Sequence, residues 1–283
     1  MIRYTFASLG KFESLGFRLG GSGLGNILFP WARSIVYAKK NKLKRIQTTW
    51  PTLKIGPIIR KERDKRMYVN LFTGVDGISG INKFFLLNFS KNVKLFKGMD
   101  NLFDSFIHEQ VFVKNELLSI INPYHIKMAN RFNSNSIAVH IRMGDFQIPK
   151  GEDLLRNSIW NYRLPLQWYV AIIEKIRAVS NLPIYIFSDA DNNEIKDILK
   201  LDNCYRADFG SSISDMIAIS NSKLLIASAS TFSMWASFLG QIPTLWFPGQ
   251  MRQNLINDVN VFEGEIDYND NLNDKLINII SNA

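Results

Sequence analysis

From residue 136 onward the chain alternates short apolar, β-branched runs with helix-length segments, and this alternation constrains the fold more than any other feature. Residues 136–142, 183–187, 223–227 and 243–247 read as strands, and residues 166–180, 193–199, 214–220 and 231–239 as helices. Strands separated by helices of this size are βαβ units, which form a parallel sheet. The first half follows the same plan less regularly. Residues 15–19 read as a strand, followed by a glycine-rich turn and a helix to about residue 40 that starts or breaks at Pro30. Residues 45–50, 84–89 and 93–96 are further strand candidates, and residues 102–121 have helical periodicity. Pro123 and the polar run Asn133-Ser134-Asn135-Ser136 mark a seam, so two α/β halves are expected, over residues 1–130 and 131–283.

Charge separates the same halves. The net charge is +9, but residues 1–140 hold 22 basic and 8 acidic residues, whereas residues 141–283 hold 12 and 17. A basic half suits a nucleic acid, an anionic membrane or an anionic donor, and charge alone does not choose among them. Among its densest stretches is the one containing Lys61, Arg63, Lys65 and Arg66. One cysteine, Cys204, excludes a disulfide framework and a cysteine-based zinc site. The N-terminal residues lack the apolar core of a signal peptide, and no apolar run approaches the roughly 20 residues of a membrane span. The expected location is cytoplasmic, with a possible peripheral contact on the inner face of the membrane.

In parallel α/β sheets ligands bind at the carboxyl ends of the strands, so residues just after strands are the candidates. Gly20-Gly21-Ser22-Gly23-Leu24-Gly25-Asn26 is a glycine-rich turn into a helix, a construction that lets backbone approach an anion. It is neither the dinucleotide fingerprint nor a P-loop, and a tight structural turn is the plain alternative. His140-Ile141-Arg142-Met143-Gly144-Asp145 ends a strand, with His140 and Arg142 on one face by period-two geometry. Arginine suits phosphate because its planar fork makes parallel charge-assisted bonds; the alternative is a structural Arg142–Asp145 pair. Ser188-Asp189 ends another strand, and Asp215 precedes Met216 in a short helix. Ser228-Ala229-Ser230-Thr231-Phe232-Ser233-Met234-Trp235 reads as a strand-to-helix turn whose hydroxyls and amides cap the helix or bind phosphate.

Taken together these segments resemble the α-1,2-fucosyltransferases of glycosyltransferase family 11. That family carries a Gly-Gly-Leu-Gly-Asn-Gln stretch, matched at Gly23-Leu24-Gly25-Asn26, and a His-x-Arg-x-Gly-Asp block, matched at His140, Arg142, Gly144 and Asp145. Its Ser-Asp strand end is matched at Ser188-Asp189, its Asp-x-x-x-Met segment is approximated at Asp215, and its Ser/Thr-Phe-Ser block is matched at Ser230-Thr231-Phe232-Ser233. The resemblance implies a GT-B-type α/β fold: two Rossmann-like domains with parallel sheets facing a central cleft, the first on the acceptor side and the second binding the nucleotide sugar. It implies inverting transfer of L-fucose from GDP-β-L-fucose to a hydroxyl, typically O2 of a galactose-type residue, on a surface glycan such as O-antigen or its lipid-linked precursor. No essential metal or other cofactor is expected. Arg142 would stabilise the departing GDP, with His140 supporting it. Gly23, Gly25, Asn26, Ser188, Asp189, Asp215, Ser230, Thr231, Phe232 and Ser233 would contact the donor. The general base stays open among Asp145, Glu62 and Asp76.

Ile27, Ala229 and Met234 stand where the family usually has Gln, Asn and Trp. They keep open a relative of the same fold using a different nucleotide sugar. A non-catalytic protein binding nucleic acid or a membrane is the third reading, although no RNA-recognition signature or helix-turn-helix is evident, so nucleic acid is not an expected partner.

Overall fold

The computed structural model describes residues 2–20, 22–53, 68, 70–74 and 76–281. The chain divides into two compact units, residues 1–126 and 127–283.

In the first unit, strand β1 (Tyr4–Ala7) is followed by a 3₁₀ turn (Glu13–Leu15), β2 (Arg18–Leu19) and helix α1 (Leu24–Asn41). Strands β3 (Lys44–Arg45) and β4 (Thr52–Leu53), helix α2 (Gly80–Phe89), β5 (Val93–Phe96) and helix α3 (Gln110–Ile120) come next. Strand β1 is the centre of a parallel sheet ordered β3-β1-β5, and β2 pairs with β4. Helix α1 buries Leu24, Ile27, Leu28, Trp31, Ile35 and Val36, a 3.6-residue stripe that covers β1 and β5. The helix runs through Pro30 without interruption. Pro30 is buried nearly two turns into the helix, where the missing N–H removes a single intrahelical bond. The expected strand at residues 84–89 is instead the second half of α2. Its apolar run has no clear period, and a helix lets Lys83 turn inward while Phe85 and Phe89 stay outside. The expected strand at 15–19 shortens to two residues, and β1 lies before it.

Helix α4 (Pro123–Ala129) spans the boundary between the units. The second unit then runs β6 (Ile137–Ile141), α5 (Asp153–Arg156), α6 (Leu166–Arg177), β7 (Ile184–Ser188), α7 (Lys196–Leu199), β8 (Cys204–Arg206) and α8 (Ser212–Ser220). It ends with β9 (Leu224–Ile226), α9 (Thr231–Gly240), β10 (Thr244–Trp246), β11 (Glu263–Glu265) and α10 (Asp274–Ser281). The six strands form one parallel sheet ordered β11-β10-β9-β6-β7-β8. This is the doubly wound order in which the chain leaves the central strand first to one side and later to the other. Strands β6, β9 and β10 are buried along their whole length, as expected of strands covered on both faces. The core joins Val139, Ile141, Trp168, Ile172, Ile186, Ile226, Leu245 and Phe247. Both units are thus α/β with parallel sheets, the fold class expected.

Candidate active site

The switch point of the second sheet lies between neighbouring strands β6 and β9. Strand β6 ends in His140-Ile141 and leads straight into Arg142, and the loop leaving β9 carries Ser228-Ala229-Ser230. Two buried serines meet the His140 ring, and a third joins them. Its Nδ1 lies 2.7 Å from Ser233 Oγ and 2.9 Å from Ser228 Oγ. Ser228 Oγ is in turn 2.9 Å from Ser230 Oγ and 3.1 Å from Ser233 Oγ. The Ser228 amide donates to Ser233 Oγ (3.1 Å) and the Ser233 amide to Ser230 Oγ (3.4 Å), so Ser230 is the N-cap of α9. Phe232 lies against the imidazole at 4.8 Å between centroids, and Tyr169 donates its hydroxyl to the His140 carbonyl (3.2 Å). Burial holds the imidazole pKa well below its ordinary value, with Arg142 adding to the effect and Asp189 opposing it. His140 is therefore a neutral, hydrogen-bonding strut and not a proton donor at neutral pH. The start of α9 lies directly above it. First-turn amides of a helix have no intrahelical acceptor, and the macrodipole favours an anion there.

Arg142 is clamped by two carboxylates. Its Nη1 lies 2.6 Å from Asp189 Oδ2, and its Nη2 bonds Asp145 Oδ1. Asp189 also accepts the Met143 amide at 2.8 Å. The parallel register pairs Ile141 with Ser188, so the next residues on each strand, Arg142 and Asp189, necessarily emerge side by side. Gly144 makes this possible: a Cβ there would overlap Asp189 Oδ2 and stand 3.1 Å from its Cγ. Arg163 braces the loop by donating to the carbonyls of Phe146 (3.0 Å) and Gly144 (3.4 Å).

The structure thus brings together His140, Arg142, Asp145, Asp189, Ser230, Phe232 and Ser233, with Thr231 at the helix start. Ser188 closes a turn, its hydroxyl accepting the Ala190 amide (3.0 Å) and its carbonyl accepting from Arg206 (2.6 Å). Asp215 lies apart in the first turn of α8, accepting the Phe209 amide at 3.0 Å. Burial, with the Asp208 charge adding, pushes its carboxyl up to about 7. Gly23, Gly25 and Asn26 belong to the first unit, where Gly23 is the N-cap of α1 and its carbonyl accepts the amides of Asn26 (3.1 Å) and Ile27 (3.2 Å). Asp76 is buried there too, accepting from Trp31 Nε1 (3.3 Å) and the Thr48 amide (3.2 Å), which gives it a structural task. Glu62, Lys61, Arg63, Lys65 and Arg66 lie outside the described residues. Ser228 and Tyr169 are additions that sequence reading did not assign. Ser228 lies within the segment Ser228–Trp235, but nothing local ties its hydroxyl to a histidine 88 residues away.

A parallel sheet that sets an arginine and a helix start at its switch point offers cationic and amide donors of the kind suited to an anionic ligand. The family model for glycosyl transferase family 11 matches residues 78–246, more than half of the chain, and the protein belongs to that family. The match covers the Arg142 and α9 segments and begins after Gly23–Asn26. A search of curated proteins returned no match. Among solved structures, the fucosyltransferase NodZ from Bradyrhizobium aligns with 12% identity over 87% of this chain and 95% of that one, at a TM-score of 0.48. POFUT1 in complex with GDP aligns with 12% identity over 87% and 98%, at 0.46. NodZ α-1,6-fucosyltransferase soaked with GDP-fucose aligns with 12% identity over 87% and 95%, at 0.44.

Proposed function

We propose that this glycosyltransferase moves L-fucose from GDP-β-L-fucose to a hydroxyl of a glycan acceptor, with inversion and without an essential metal. The observation that carries the reading is the Arg142–Asp189 clamp standing beside the α9 N-terminus at the switch point. As the bond between the anomeric carbon and the phosphate oxygen breaks, its electron pair stays on GDP. Fixed donors aimed at that oxygen then lower the barrier. Asp189 holds Arg142 from below, while the more exposed Asp145 is the partner that a diphosphate displaces. Neutral His140 fixes Ser228 and Ser233 and hence the α9 start, without adding a competing charge. The new bond forms between the acceptor oxygen and the anomeric carbon, and the acceptor hydroxyl's proton passes to a carboxylate base, for which Asp145 is the candidate in this unit. A galactose-type O2 on a surface glycan or lipid-linked precursor is the acceptor class we favour.

A second reading, transfer from another nucleotide sugar, drew on Ala229, Met234 and Ile27. All three side chains are buried, at 2%, 2% and 3% exposure. They are apolar and packed inside their own units, so they bring no polar atom that would select another donor, and the donor screen decides between the two readings. The test is a donor screen with GDP-fucose and other nucleotide sugars against a galactoside panel, with product linkage by NMR. Release of GDP from GDP-fucose should fall about 10²-fold or more in Arg142→Ala. Turnover of a different donor, or an undiminished rate in the variant, overturns the proposal.

A further inference from the structure

Helix α2 presents an unusual outer face. Ile81, Phe85 and Phe89 are 71%, 54% and 72% exposed. Spacings of four residues put them in one stripe along the helix, and the rings of Phe85 and Phe89 lie 5.8 Å apart between centroids. The 3₁₀ turn Glu13–Leu15 packs against α2 and adds Phe12 and Leu15, each 56% exposed. Single exposed apolar residues are ordinary, but a continuous stripe of large ones marks an interaction surface. The helix is firmly held from behind. Lys83 is buried, bonds Thr49 Oγ1 and lies 5.3 Å from the Phe6 ring.

Charge selects the occupant. Residues 77–99 contain four lysines and no aspartate or glutamate, and Lys91 and Lys97 are exposed. Residues 1–126 together hold 20 lysines and arginines against 8 acidic residues. A second copy of the chain would bring the same positive field to the same stripe, which repels. An anionic bilayer attracts lysines near its surface and takes aromatic and aliphatic side chains into the headgroup–acyl boundary. We infer that α2, with the Phe12–Leu15 turn, is a docking face for an anionic lipid surface. A helix of ten residues lying in the interface suffices for this; among the described residues, no helix is long and apolar enough to cross the membrane.

The full chain is tested by co-sedimentation with phosphatidylcholine vesicles with and without phosphatidylglycerol, at low and high salt. Binding should require phosphatidylglycerol and weaken with salt. It should fall about tenfold or more in Phe85→Ser/Phe89→Ser, and fall in Lys91→Gln/Lys97→Gln, with the melting transition kept. As a second readout, a polarity-sensitive fluorophore on Phe85→Cys should shift to the blue with phosphatidylglycerol vesicles; the native Cys204 is buried. Equal binding to both vesicle types, or no effect of the aromatic pair, overturns the inference. So does a dimer by light scattering that Phe85→Ser/Phe89→Ser abolishes while vesicles do not bind. No arm requires turnover, so failure here is distinct from failure of the proposed reaction.

Discussion

Gly144→Ala tests whether the Arg142 clamp is the working part of the site. The added Cβ would overlap Asp189 Oδ2 and lie 3.1 Å from Cγ. Asp189 must therefore move by about 1 Å to restore van der Waals contact. Its hydrogen bond from the Met143 amide is 2.8 Å and its ion pair with Arg142 is 2.6 Å, so such a shift breaks the hydrogen bond and stretches and weakens the ion pair. A lost hydrogen bond to a charged group costs about 1.5–3 kcal/mol, and the solvent-screened ion pair about 1 kcal/mol at most. A fall of about 2–3 kcal/mol in the stability of the second unit follows. Misplacing the guanidinium by about 1 Å should lower kcat/KM for GDP release about 10²-fold. The decisive assay is a double-mutant cycle with Asp189→Ala, which removes the carboxylate that the new Cβ would meet. If Gly144 acts through Asp189, adding Gly144→Ala to Asp189→Ala changes activity little further, because the two share one interaction. Additive losses, or a Gly144→Ala enzyme with near-normal kcat/KM, refute the reasoning.

Two pH predictions rest on buried groups. Burial lowers the His140 pKa, whereas the unfolded chain titrates near 6.5. The neutral ring's contribution is therefore complete above about pH 6.5 and is lost as pH falls below it. Chemical denaturation at pH 7 and pH 5 should show a loss on acidification that His140→Gln largely removes. Asp215 runs the other way. With its folded pKa raised to about 7 above the unfolded value, it costs stability as pH rises through that range. Asp215→Asn keeps an acceptor for the Phe209 amide and should stabilise the protein at pH 8, by up to about 4 kcal/mol, and scarcely at pH 4. A variant no more stable at pH 8 than the parent refutes the assignment.

The sequence by itself determined the second unit's strand and helix order, because strands buried on both faces must be continuous apolar runs and their helices must be amphipathic. It also located Arg142 and the Ser230 cap, since both follow strands and their chemistry is local. It did not reveal β8 or β11, three-residue segments too short to show a period, or α10, an amphipathic helix of eight residues that buries Leu276 and Ile280. It also misread residues 84–89, where five apolar residues in six fit a strand as well as a helix face. Only the tertiary structure decided the partners. Asp189 reaches Arg142 because β6 and β7 pair in parallel with Ile141 opposite Ser188. His140 reaches Ser228 because β6 and β9 pair with Val139 opposite Ile226. These residues are 47 and 88 positions apart, and strand register is a property of the assembled sheet that no local pattern encodes.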